Sequence, residues 1–208
     1  MSRIAAAALL AAALSILPAA AQNADAERLE AELTSDNTAG IGTAFTLTDP
    51  EGKARSLASF RGKVVLLYFG FTSCPDVCPT DLQQIARALR AVGKRASGVQ
   101  VLFVTLDPER DTPRLLAQYT RAFDARILAL RGSEAEVNRI ARAFKIYAAR
   151  AALPGGGYTI DHSAYTLLLD REGNFRDYMP PGTPSGRMAV MIDELLTATR
   201  KPVGDRIR

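Results

Sequence analysis

The sequence predicts an α/β sandwich with a central mixed β-sheet flanked by helices and preceded by a β-hairpin. Two uninterrupted apolar runs, "KVVLLYFGF" (63–71) and "VQVLFVTLD" (99–107), are too short and too rich in Val and aromatic residues for helices, so they read as strands buried on both faces. Each is followed by a segment with apolar residues at helical spacing. The last third switches to a hairpin pattern and a closing helix, which makes the sheet mixed instead of wholly parallel.

The elements follow in order. "MSRIAAAALLAAALSILPAAA" has Arg3 as a short positive region, an apolar run from Ile4 to Leu17 and small residues at Ala19, Ala20 and Ala21, the form of an export signal over 1–21. An uncleaved anchor is the competing expectation, although the run is short and Ala-rich against the roughly 20 apolar residues of a membrane span. Residues 22–42 are polar and aperiodic, a tether to a domain expected over 43–200, with 201–208 as a tail. "FTLTDPEGKARSL" turns at Asp49-Pro50-Glu51-Gly52, predicting a hairpin from Phe45 to Leu57. After the first buried strand, Leu82, Ile85, Leu89 and Val92 mark a helix with Pro79 in its first turn and Gly93 as its stop. After the second, Thr112 caps a helix that begins at Pro113 and turns Leu115, Leu116, Tyr119 and Phe123 inward. A short strand at Ile127–Leu130 leads to a helix carrying Val137, Ile140, Ala141 and Phe144. "LPGGGYTIDH" reads as a mobile Gly-rich loop. "AYTLLLDREGNFRDYM" reads as a hairpin turning at Glu172 to Asn174, and Met188, Ile192, Leu195 and Leu196 line a final helix.

The net charge of +4, from 26 basic and 22 acidic residues, is mild and evenly scattered, which argues against a nucleic-acid partner. Loss of residues 1–21 would remove only Arg3 and leave +3. An export signal places the body in the oxidising space outside the inner membrane, where disulfides persist. Attachment to that membrane through an uncleaved N-terminus stays open.

The chain has two cysteines, Cys74 and Cys78, both in "FGFTSCPDVCPTDL". A bridge between residues four apart closes so small a loop that it does little to the unfolded chain, so a purely structural disulfide explains the pair poorly. A redox couple or a pair of metal ligands remains. Buried strand, cysteine turn, helix is the arrangement of thioredoxin-like domains, and a turn at a helix N-terminus favours thiolate, with Asp76 and Asp81 opposing. Thioredoxin-type oxidoreductases use two intervening residues, usually beside a Trp. Here three residues intervene and the chain has no Trp. Peroxiredoxins want a Thr three before the reactive Cys, where this chain has Phe71. The wider spacing lets the sulfurs either bond or diverge to share one ion.

A two-sulfur site needs a third ligand, and the single histidine, His162 in "TIDHSAYTLLL", enters a core strand where a thioredoxin-like fold lies against its cysteine turn. Two thiolates and an imidazole suit copper, as Cu(I) or, with one further oxygen ligand, Cu(II). Zinc is the rival.

"YFGFTSCPDVCPTDL", "VTLDPERDTP" and "IDHSAYTLLLD", in that order and spacing, resemble the Sco/SenC proteins, copper-binding assembly factors of cytochrome c oxidase, over about Gly40 to Leu196. The resemblance implies one copper ion on Cys74, Cys78 and His162, with Asp107 and its loop, and Asp161, as supporting residues. It implies a periplasmic metallochaperone, not an enzyme, soluble or tethered to the inner membrane, that takes copper from a periplasmic donor and serves the copper-bearing subunit of the oxidase. A thiol-disulfide oxidoreductase acting through Cys74 and Cys78 on a partner's cysteines is the alternative, and a copper sensor would share the same site.

Overall fold

The computed structural model describes residues 40–198. The expected signal at 1–21, most of the tether and the tail at 201–208 lie outside them. The expected N-terminal hairpin is present as β1 (Thr46–Thr48) and β2 (Ala54–Ser56), with Thr46 opposite Ser56. The Asp49 side chain closes its turn by accepting from the backbone N–H groups of Glu51 and Lys53. This is the usual role of an Asp that begins a turn.

The central sheet has the order β5 (Ile127–Leu130), β4 (Val99–Thr105), β3 (Val64–Gly70), β8 (Thr166–Leu169), β9 (Phe175–Met179). Strands β3, β4 and β5 run parallel. Strand β8 pairs antiparallel with β3, and β9 antiparallel with β8. Every residue of β3 is buried, as its unbroken apolar run requires of a strand covered on both faces.

Among the described residues, four α-helices accompany the sheet: α1 (Val77–Val92), α2 (Pro113–Phe123), α3 (Glu134–Ala143) and α4 (Ser185–Thr197). Leu82, Ile85, Leu89 and Val92 of α1 enter the core, α1 packs against α4, and Gly93 ends α1 with φ of 66°, a left-handed value that glycine adopts at no cost. Thr112 caps α2 by accepting from the Leu115 N–H. The predicted inner face of α2 needs one correction. Leu116 is buried and Tyr119 and Phe123 pack against the core, but Leu115 is 39% exposed, because it stands one helical position off the buried stripe of Leu116 and Thr120. Val137, Ile140, Ala141 and Phe144 are all buried, as are Met188 and Ile192, with Leu195 and Leu196 packed against the core.

A second correction concerns the segment read as a Gly-rich loop. It belongs to an antiparallel hairpin of β6 (Ala148–Ala152) and β7 (Tyr158–His162), in which Ala148 lies opposite His162. Only the tip is a loop, and Gly155, Gly156 and Gly157 all take positive φ there. The sequence "AARAA" neither alternates nor favours strands, so only its pairing to β7 reveals it as one. The whole is a thioredoxin-like α/β sandwich with a mixed sheet. Among the described residues, no helix is long and apolar enough to cross a membrane.

Candidate metal centre

Both cysteines sit where β3 delivers the chain to α1. Cys78 is in the first turn of the helix and fully buried. Cys74 lies in the preceding loop and is 8% exposed. Gly70, the last residue of β3, makes room for Cys78: a Cβ there would stand 2.8 Å from Cys78 Sγ and 3.0–3.1 Å from the rings of Tyr68 and Phe103. The helix has no side-chain cap from Asp76. Instead Cys74 Sγ accepts from the Cys78 N–H at 3.4 Å, and the Asp76 N–H also faces it.

The electrostatics divide the pair. The Cys78 side chain donating to Cys74, against some burial and with help from these backbone N–H groups and the charge of His162, lowers Cys74 to about 5. Cys78 moves the other way, raised by its bond to the Cys74 thiolate and by burial. The metal-free dithiol therefore holds one thiolate, on the outer sulfur. Burial raises the Asp81 carboxyl, whose Oδ1 accepts from Gly182 N–H at 2.8 Å and Oδ2 from Tyr68 O–H at 3.3 Å.

His162 closes the group from the other side. Its Nε2 lies 3.6 Å from Cys78 Sγ, and its ring meets the Phe71 ring edge to face at 5.6 Å between centroids. Nδ1 lies 3.1 Å from the Ile160 carbonyl, which can only accept, so Nδ1 donates its proton there and Nε2 is the ring nitrogen turned toward the sulfur. Bonds of about 2.3 Å to sulfur and about 2.0 Å to nitrogen, opening at 109–120°, set their ligand atoms about 3.5–3.7 Å apart. The Cys78–His162 pair thus has the separation that one shared ion demands. Among the described residues, no three His, Cys, Asp or Glu side chains are gathered into a finished cage. The contacts run pairwise, Cys74 to Cys78 to His162, so closing on an ion takes a side-chain turn.

The expected supporting residues part company. Asp107 is fully buried; its Oδ1 accepts the Tyr158 O–H at 2.9 Å and its Oδ2 pairs with Arg110 Nε. Asp161 is exposed. On β7 the side chains alternate, so Ile160 and His162 share one face and Asp161 takes the other, away from the sulfurs. Its expected supporting role is corrected on that ground. Sequence reasoning gave Asp111 only as one residue of the supporting loop after Asp107 and missed its own role: it is a fully buried carboxylate that accepts Thr72 Oγ1 at 2.5 Å, Thr72 N–H at 3.1 Å and Thr105 Oγ1 at 2.5 Å, and whose pKa burial raises. It ties the base of the cysteine loop. In an acidic, Pro-bounded turn it reads as a solvated charge, and only the packing identifies it. Gly70 was missed too, hidden within a run read solely for its hydrophobicity.

With the geometry in view, the likeness to known proteins can be placed. The mitochondrial SCO2 homolog of Bos taurus is 41% identical over 137 residues, 64% of this chain and 52% of the bovine protein. An SCO2-like protein of Rickettsia prowazekii is 36% identical over 137 residues, 65% of this chain and 67% of its own. The match therefore spans about half the length of the bovine relative. Among solved structures, Bradyrhizobium japonicum ScoI with copper bound is 39% identical with a TM-score of 0.69, covering 74% of this chain and 99% of that one. Yeast Sco1 with copper bound is 32% identical with a TM-score of 0.71, covering 79% of this chain and 92% of that one. The model of the SCO1/SenC family matches residues 34–197, and the chain belongs to that family.

Proposed function

We propose that this protein is a copper metallochaperone that carries one copper ion on Cys74, Cys78 and His162. The observation that carries the reading is the 3.6 Å approach of His162 Nε2, the chain's only histidine, to Cys78 Sγ across 84 residues of sequence. Two sulfurs and one imidazole nitrogen favour soft, low-coordinate Cu(I), and Cu(II) would complete its coordination with an oxygen ligand. Solved copper-bound relatives at 39% and 32% identity support the choice of copper over zinc.

Cargo would be received from a periplasmic donor and passed to the copper-bearing subunit of cytochrome c oxidase by exchange of one ligand at a time with that partner's cysteines. The half-exposed imidazole and the outer Cys74 are the ligands such exchange reaches first. The export signal read at 1–21 supports a periplasmic site of action, soluble or tethered to the inner membrane. Reduced, purified protein should take up one equivalent of Cu(I), and its Cu(II) form should show thiolate-to-copper charge-transfer absorption. His162→Ala should weaken or alter Cu(II) binding more than Cu(I) binding. Wild-type copper affinity and spectra in that variant would end the proposal.

The division of the thiols favours a second reading, a disulfide reductase. The Cys74 thiolate would attack a partner's disulfide, forming a mixed disulfide and releasing one partner thiolate, which takes its proton from water. Cys78 would then attack Cys74 as it gives up its own proton, closing the Cys74–Cys78 disulfide and releasing the second partner thiol, so that two electrons pass to the partner with one proton from Cys78 and one from water. In this chemistry His162 forms no bond, and its charge is only the last of the influences that favour the Cys74 thiolate. Survival of in-cell function in His162→Ala would favour it.

A further inference from the structure

The two halves of the site come from elements of unequal strength, and one turn grips both. The cysteine loop extends from the buried strand β3, but the histidine rides on a two-stranded sheet that is not part of the central one. An isolated two-stranded hairpin is at best marginally stable in water, so something must fix β6–β7 against the body.

The turn between β4 and α2 supplies that anchorage. It is tied to itself, the Asp111 N–H donating to the Asp107 carbonyl at 2.9 Å and the Asp107 N–H to Thr105 Oγ1 at 2.9 Å. From one end, Asp107 accepts the Tyr158 O–H at 2.9 Å. Arg110, paired to Asp107, donates from Nη1 to the Tyr158 carbonyl at 2.8 Å and lies 3.9 Å from the centre of its ring. Tyr158 begins β7 and His162 ends it, and the two-residue period places Tyr158, Ile160 and His162 in one row on one face. From the other end, Asp111 holds Thr72 by its N–H and its hydroxyl, two residues before Cys74.

We propose that the turn Asp107–Asp111 is a bracket that sets the separation of His162 from the two cysteines, with Asp107 and Tyr158 as positioning residues for the imidazole and Asp111 and Thr72 as positioning residues for the sulfurs. This deepens the copper reading above and rests on it for its metal-dependent half. The bracket makes His162 placement depend on the Tyr158 hydroxyl, the Asp107 carboxylate and the Arg110 guanidinium, none of which is among the proposed ligands.

The test uses the full chain, purified and reduced, and Tyr158→Phe, which keeps the ring against Arg110 and removes only the hydroxyl. In metal-free protein, amide hydrogen exchange over residues 158–162 should quicken about tenfold, the scale of one lost hydrogen bond to a charged group. Cu(II) affinity should fall about five- to tenfold with a shifted charge-transfer band, while Cu(I) affinity stays within about twofold. In a His162→Ala background, Tyr158→Phe should cost Cu(II) affinity nothing more, which a merely stabilising role would not produce. Thr72→Val should quicken exchange over residues 72–78 and lower Cu(I) affinity, and Thr72→Ser, which keeps the hydroxyl, should restore both. Unchanged exchange in Tyr158→Phe overturns the bracket, as does an unaltered Cu(II) spectrum or an equal Cu(II) loss without His162. Faster exchange in a protein whose wild type takes up no copper would uphold the bracket and remove the copper reading instead.

Discussion

The segment that carries the cysteines and the segment that carries the histidine are opposites. Strand β3 is buried over all seven residues and hydrogen-bonded on both sides, and it hands the chain straight into a helix whose apolar face fills the core. The β6–β7 hairpin has one fully buried residue, Ile160, pairs only with itself, and ends in three exposed glycines. On the copper reading proposed above, a ligand set shared between a fixed partner and a yielding one would keep its sulfurs in place while the imidazole is exchanged. Stability in proteins is distributed in this uneven way, and the parts that must move are drawn from its weak end.

The largest effect should come from the fixed side. Loss of residues that only support a metal ligand costs about 10–100-fold in affinity, so removing a sulfur ligand itself should cost more. Cys78→Ser is therefore expected to lose more than about 100-fold in Cu(I) affinity by competition titration, far beyond the loss in His162→Ala. Equal losses in the two variants would erase the contrast. Next comes Gly70→Ala. The added methyl meets Cys78 Sγ at 2.8 Å, and overpacking of this kind costs about 1–3 kcal/mol, to be read as a lower urea midpoint. An unchanged midpoint would mean that the cysteine turn yields as readily as the hairpin.

A third test concerns charge. Alkylation consumes thiolate, so a thiol lowered to about 5 should react at a rate that rises through pH 5 and is level by neutrality, whereas an ordinary cysteine, at about 8.5, is still gaining there. Mass spectrometry should find the label on Cys74, with Cys78 protected by burial and by its raised pKa. A rate that climbs only above pH 8 would remove the division between the thiols. The smallest effect belongs to the hairpin tip. Gly156 has φ of 103° and open space around it, so Gly156→Ala brings backbone strain of about 1–2 kcal/mol without a clash. It should speed exchange near the tip and, because the exposed tip can open locally and shed that strain while the body stays folded, leave the urea midpoint almost unmoved. A large midpoint shift would show the hairpin to be integral to the core.

The same contrast governs what the sequence discloses. Strands β3 and β4 and helix α1 are legible because burial on both faces, or on one helical stripe, writes itself into residue order. Cys74, Cys78 and His162 stand out because their types are scarce and their chemistry specific. The hairpin is illegible because "AARAA" owes its extended form to its partner strand and to Tyr158, neither of which leaves a local pattern. Asp161 was misplaced for that reason: read as part of a loop it could face anywhere, and read as part of a strand next to His162 it must face away. Asp111 and Gly70 act through contacts with residues 39 and eight positions distant, Thr72 and Cys78, and no window along the chain contains that information.

Depth gives the sulfur pair a direction. A reagent arriving from solvent meets Cys74 and the imidazole before it can meet Cys78, which has no surface of its own. A cargo held as proposed would therefore be queued by depth: the rim groups would let go first, and the innermost sulfur would be the final hand on it.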